Sequence, residues 1–440
     1  MSIEKAIESI QQVVEQERDF VVGLTRDLVR IPSVNPKFEA NEKLNREPEV
    51  QAHLARVLEE IGLTTQQQEV FPNRPNLIGT LAGSDERSLL LNGHVDVVPV
   101  VDEAKWTVDP FGGEIRDGRV WGRGAIDMKC GIATMAAAVR AIGKAGYRPI
   151  GRIDFHAVVD EEAGGFGAAH AARTMPKARA GIVTEPTWGD ILPAAGGLEW
   201  VRVAIPGKSA HAGWRYNTIY PQRHDNPKRL EPGVNAIELG TLFIMALREF
   251  EREWGMNKFH PLLPPGITTI NPGVVIGGVS PDADGKPTLL SNPAIIPDAF
   301  VVDLDLKFLP QEKKENVRAE FEAFVHAFAS QHGFLRQNPP RVIWELQGLH
   351  FPPLDTPVDH AIVQSLVSQR KALGLPVEIS AMAGVCDAAH YSGAGIPCVI
   401  YGCAGDGLHG IDEYVEIDSL VETTKVLAAT IAEFCGLREI

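Results

Sequence analysis

The chain has 440 residues, 44% of them hydrophobic, and a formal net charge of −15. This length predicts about two or three domains with a substantial core, and the acidic balance argues against nucleic acid or an anionic membrane as partner, because either needs a basic patch. No apolar run approaches the ~20 residues of a membrane span. Residues 1–10 carry Glu4, Lys5 and Glu8 in place of a signal-peptide core, so a cytoplasmic location is expected.

Taken in chain order, residues 1–195 alternate helix-like patterns with short apolar runs. Helical texture at 49–61 is followed by a strand-like run at 89–92, a helical run at 132–142 and a strand-like run at 153–159, which is α/β texture. After Pro193 the texture changes. A strand is expected at 198–205, a helix at 236–252, two strands near 267–276 and 300–308, a helix at 311–330 and a strand near 342–347. The order β-α-β-β-α-β is that of a ferredoxin-like α+β unit. From about residue 351 the first texture returns, with a helix near 360–373, a strand near 398–402 and a final helix at 419–434. The expected organisation is therefore an α/β domain with a central mixed sheet, made of 1–195 and 351–440, interrupted by a second domain at 196–350.

The apolar runs end in metal-type donors. Leu89-Leu90-Leu91-Asn92-Gly93 closes on His94, with Asp96 two residues later and thus on the same side of an extended chain. Asp127 stands in the glycine-broken loop 121–129, and Asp160-Glu161-Glu162 follows the run at 153–159. Glu185 follows 180–184, and His409 follows the glycine-rich stretch 402–407. Each acidic group is also readable as an ordinary solvated cap. Together they offer the imidazole and carboxylate mixture that zinc and related divalent ions take, with two ions sharing a carboxylate in hydrolytic pairs. The five cysteines, at 130, 386, 398, 403 and 435, lack metal-finger spacing and read as reduced thiols.

Over nearly its whole length the sequence resembles the co-catalytic metallohydrolases that include acetylornithine deacetylase, succinyl-diaminopimelate desuccinylase, carboxypeptidase G and aminoacylase. The resemblance is carried by Gly93-His94-Val95-Asp96-Val97-Val98-Pro99, Gly122-Arg123-Gly124-Ala125-Ile126-Asp127-Met128-Lys129, Asp160-Glu161-Glu162 and Thr184-Glu185-Pro186. It continues in Gly207-Lys208-Ser209-Ala210-His211-Ala212-Gly213 and in His409 ahead of Asp412-Glu413-Tyr414. It implies that His94 and Glu185 hold one metal, Glu162 and His409 the other, and that Asp127 bridges them, with Asp96 orienting His94. Zinc is the expected ion, with cobalt and manganese as alternatives. The resemblance further implies that Glu161 is the general base for a metal-bridging hydroxide that attacks an amide carbonyl. His211 would lie on a lid and dimerisation domain, reaching the partner subunit's site in a homodimer to hydrogen-bond the oxyanion. The implied activity is hydrolysis of the amide of an N-acyl amino acid or a related small N-acyl compound.

Several features limit the inference of substrate. Many amino-acid-specific members carry Asp-x-Arg in a lid strand, whereas this chain reads Asp303-Leu304-Asp305-Leu306-Lys307, and lysine offers a point charge where arginine offers a fork. Residues 214–232 form an extra segment of aromatic and basic character beside His211. The same ions and Glu161 would also serve hydrolysis of an amidine, carbamate or aryl amine. A non-catalytic binding protein on this fold would be expected to have lost Glu161 or a metal donor, and all of them are present.

Overall fold

A computed structural model describes residues 2–215, 233–290 and 292–440. The chain divides into two compact units, Met1–Ala195 with Leu354–Ile440, and Gly196–Pro353.

The first unit is built on a nine-stranded mixed sheet. Its centre is a block of neighbouring parallel strands in the order Gly151–Val158, Ser84–His94, Ala180–Val183 and Cys398–Ile400. Gly151–Val158, Ala180–Val183, Cys398–Ile400 and the 88–94 part of Ser84–His94 are almost wholly buried, as expected where helices cover both faces of a sheet. On one face pack Ile3–Gln16, Arg18–Val29, Cys130–Lys144 and Ile417–Cys435, whose buried stripes share a core with Leu89, Leu91, Ile153 and Phe155. On the other face Ala168 and Ala171 of helix Phe166–Thr174, with Tyr391 of the short helix Ala388–Gly393, pack on Leu90, Val158 and Ile400. Helix Cys130–Lys144 is rich in alanine and buried along most of its length, so small side chains let it lie close to the sheet. All five cysteines are free and buried. Among the described residues no helix is long and apolar enough to cross a membrane.

The second unit is an antiparallel sheet in the order Arg341–Trp344, Gly197–Pro206, Ala299–Phe308 and Ile270–Pro281, extended at one end by Pro287–Leu289. With helices Ala236–Asn257 and Lys314–Ser330 inserted after the first and third of these strands in chain order, this is the ferredoxin-like arrangement. Alternation along Ala299–Phe308 puts Val302, Leu304, Leu306 and Phe308 into a core with Phe243, Leu247, Phe321 and Phe328 from the two helices. Asp303, Asp305 and Lys307 occupy the alternate positions. The helix expected from 311 begins at Lys314, because Leu309-Pro310 closes the preceding strand and Glu312 accepts the Leu309 backbone N–H in a turn. Of the extra segment 214–232, all but Trp214 and Arg215 lies outside the described residues.

Candidate metal centre

The parallel block explains how donors far apart in sequence meet. Neighbouring parallel strands present their carboxyl ends at the same edge of a sheet, which is where open α/β sheets place ligands. Strand Ser84–His94 ends in His94, Gly151–Val158 leads into Asp160, Glu161 and Glu162, Ala180–Val183 leads into Glu185, and Cys398–Ile400 leads into the loop bearing His409. Asp127 comes from the turn before helix Cys130–Lys144.

Asp127 is central. Its Oδ1 lies 3.3 Å from His94 Nε2, and its Oδ2 lies 3.2 Å from His409 Nε2. Glu185 Oε1 is 3.7 Å from His94 Nε2, and Glu162 Oε2 is 3.1 Å from His409 Nε2. Glu161 Oε2 stands farther out, 3.9 Å from His94 Nε2. Possible ligand atoms of His94, Glu161 and Glu185 form one group within 4.8 Å, and those of His94, Asp127 and Glu162 form another.

Electrostatics make this cluster costly without cations. Burial raises the pKa of Glu185 and Glu161, and their neighbouring carboxylates raise it further against the pull of His94. Burial alone would depress His94, but Glu185, Asp127 and Glu161 outweigh it and lift the imidazole above its ordinary value. His409 is pushed up to about 10 by its hydrogen bonds to Asp127 and Glu162. Meanwhile His94 Nε2, Glu162 Oε1 and Glu185 Oε1 are buried without a hydrogen-bond partner among the described residues. Orphaned donor atoms of the right chemistry, aimed into one space crowded with negative charge, fit divalent ions, which would replace the missing partners.

Several side chains hold these groups in place. His94 Nδ1 meets the backbone carbonyl of Asp96 at 2.9 Å, while the Asp96 carboxylate stands 3.8 Å from that nitrogen. The carboxylate instead accepts the backbone N–H groups of Glu161, at 3.1 Å, and Glu162, at 3.3 Å. Asn35 donates to Asp96 at 2.8 Å and to Asp160 at 3.1 Å, and Asp160 also takes Lys37 at 2.6 Å and Arg74 at 3.0 Å. Glu413, fully buried, accepts Arg123 at 2.6 Å and the backbone N–H groups of Ile126 and Asp127 at 3.0 and 3.1 Å. Sequence reasoning assigned no role to Asn35 or Glu413. The available signal was Glu413 in the resembling segment just beyond His409.

His211 belongs to the other unit. Strand Ala210–His211 pairs with Ile295–Ile296, and the exposed imidazole accepts the Gly213 backbone N–H through Nδ1 at 3.0 Å and lies 5.9 Å from the Trp214 ring. In the first unit, a cavity of about 400 Å³ is lined by Asp127, Glu161 and His409 together with Trp188, Asp190 and Met382. That volume suits a small-molecule ligand.

Comparison with known proteins agrees with this site. A family model described as peptidase family M20/M25/M40 matches residues 90–433. The N-formyl-4-amino-5-aminomethyl-2-methylpyrimidine deformylase of Bacillus subtilis (strain 168) is 31% identical over 451 aligned residues, covering 99% of this chain and 100% of that protein. The succinyl-diaminopimelate desuccinylase of Rhodospirillum centenum is 27% identical, covering 92% of this chain and 95% of that one. Aminopeptidase PepT of Bacillus cereus shares the fold, with a TM-score of 0.67 at 21% identity over 95% of this chain and 98% of its own. Taken with the convergent histidines and carboxylates at the sheet edge, these likenesses show that the chain belongs to peptidase family M20/M25/M40 and is a metal-dependent amidohydrolase.

Proposed function

We propose that the chain removes a short acyl group, formyl in the first instance, from the nitrogen of a small amine. The observation that carries the hydrolytic site is Asp127, whose two oxygens face His94 and His409 on opposite sides. In this reading His94 and Glu185 would hold one divalent ion, Glu162 and His409 a second, and Asp127 both. Zinc is the ion this nitrogen and oxygen set favours. When bound, the ions lower the pKa of water toward ~7 and polarise the acyl oxygen.

Glu161 is the carboxylate left over. It takes a proton from the attacking water and returns it to the nitrogen of the leaving amine, so that one water is consumed and one acid and one amine are released. Asp96 fixes the backbone from which Glu161 and Glu162 project. His211 donates a hydrogen bond to the acyl oxygen from the partner subunit of a homodimer. The second unit carries a surface suited to such a dimer. Strand Ile270–Pro281 has an open outer edge over residues 270–278 among the described residues, with Val274 and Val275 exposed, and helix Ala236–Asn257 exposes Leu242 and Met245. Five buried thiols without a disulfide accord with a reducing, cytoplasmic location.

Formyl is preferred over a carboxylate-bearing acyl group on two grounds. Two relatives matched across nearly the whole chain are named as deformylases of an aminomethylpyrimidine, and Lys307 stands where an arginine fork would bind a carboxylate. The test is formate release from N-formyl-4-amino-5-aminomethyl-2-methylpyrimidine by the zinc-loaded protein, with N-succinyl and N-acetyl amino acids alongside. Formate release is expected to be the fastest reaction. Turnover of the amino-acid substrates alone would defeat the proposal.

A further inference from the structure

Two side chains on the wall of the cavity that Asp127, Glu161 and His409 line take no part in the hydrolytic steps. Trp188 is 55% exposed, yet its indole is held in place. Its Nε1 donates to the Gly405 carbonyl at 2.8 Å, and its backbone N–H to the Cys403 carbonyl at 3.1 Å. An indole anchored through its own N–H and open to a cavity keeps its ring for a ligand instead of the core.

Asp190, two residues on, is half-buried and lines the same cavity. Its backbone N–H closes a turn onto Thr187, and among the described residues its carboxylate forms no hydrogen bond. Burial raises its pKa, the neighbouring Glu378 raises it further, and Arg370 only partly offsets this. Arg370 is occupied elsewhere, on Pro376 O at 2.7 Å, the Tyr401 hydroxyl at 3.0 Å and Glu422 at 3.3 Å. A partly buried carboxylate on a cavity wall, without a donor from the described residues, favours a ligand that brings N–H groups or positive charge. It also repels a substrate carrying its own carboxylate, such as an N-acyl amino acid. Met382, on the same cavity, has a thioether able to adapt to an aromatic ring.

We infer that Trp188 and Asp190 recognise the amine half of the substrate, and that this half is a flat nitrogen heterocycle in which an amino group stands beside a ring nitrogen that takes up a proton from solvent on binding, as in a 4-aminopyrimidinium. The ring lies on the indole, and the N–H pair meets the Asp190 carboxylate in a two-bonded, charge-assisted contact. The inference rests on the deacylation reading for the bond that is cut, but the wall itself acts on the free amine as well.

Binding of that free amine is therefore the test. Affinity of the metal-loaded protein for 4-amino-5-aminomethyl-2-methylpyrimidine is measured by calorimetry against benzylamine, which has the same aminomethyl group and no ring nitrogen. The parent is expected to prefer the aminopyrimidine by at least about tenfold, and Asp190→Asn to lose about ten- to hundredfold of its affinity for it, more than for benzylamine. Trp188→Leu should weaken both amines, and Trp188→Phe should restore part of the loss. Equal affinity of the parent for the two amines, or no binding of either, overturns the inference whether or not the variants fold. So does an unchanged preference in a folded Asp190→Asn protein. Formate release is scored separately: an aminopyrimidine preference without deformylation would leave this wall standing and remove the deacylation reading.

Discussion

The carboxylate of Asp96 holds the backbone N–H of Glu161 at 3.1 Å, so an aspartate two residues after the metal-type histidine sets the position of the proposed base 65 residues later in the chain. Its other oxygen takes Glu162 N–H at 3.3 Å and Asn35 at 2.8 Å. Asp96 is buried, and an asparagine there would turn an acceptor into a donor facing a donor. Asp96→Asn is expected to lower kcat by about 10–100-fold at saturating metal, the cost typical of groups that support metal ligands. Steady-state kinetics across a zinc titration checks this, and an unchanged kcat at saturation would mean that the tether does not position the base.

Glu161→Gln removes a proton acceptor with little change of shape. It should retain the metals of the parent while slowing turnover by roughly 10²–10⁴-fold. Elemental analysis beside single-turnover kinetics separates the two effects. Loss of metal together with activity would make Glu161 a ligand instead.

Chelation should abolish activity and lower the melting temperature, because ions that bind only the folded chain stabilise it by mass action. Zinc is expected to restore both. Activity that survives exhaustive chelation, verified by elemental analysis, would contradict the metal-dependent site.

His211→Ala should leave metal content intact and lower kcat by an amount on the order of 10²–10³-fold, as for one lost oxyanion donor. A mixture of Glu161→Gln and His211→Ala subunits tests action across a dimer. If the histidine serves its partner, one of the two sites in each mixed dimer regains both groups, and activity returns. Proven mixed dimers without recovery would assign His211 to its own subunit or outside the reaction.

His156 supplies a pH dependence away from the metal donors. It is buried, its Nδ1 meets the Tyr391 hydroxyl at 2.9 Å and its Nε2 has no partner among the described residues, and burial lowers its pKa to about 3. The unfolded chain takes up this proton near pH 6.5 and the folded chain only near 3, so the contribution to stability is complete above about 6.5 and is lost as pH falls through that window. Urea unfolding at pH 7 and pH 5 should show the parent losing more stability than His156→Gln over the same interval. Equal losses would show that His156 is not buried neutral.

The metal-type residues were legible because strand ends are marked locally. Apolar runs stop at His94, Asp160-Glu161-Glu162 and Glu185, and the change of texture after Pro193 marks the inserted β-α-β-β-α-β segment, since hydrophobic periodicity is a property of neighbouring residues. The resemblance added the pairing of donors with metals, which spacing alone left open. What only the tertiary structure decided was adjacency. Strand Ser84–His94 lies between Gly151–Val158 and Ala180–Val183, and that order comes from hydrogen bonds between segments tens of residues apart, with no local pattern to announce it. For the same reason the turn of the Asp96 carboxylate toward the Glu161 and Glu162 amides, the Glu413 grip on the Asp127 backbone, and the opening of Trp188 and Asp190 onto the cavity could not be read along the chain. Each depends on which buried group lacks a partner after folding, and burial is fixed by the packing of the whole unit.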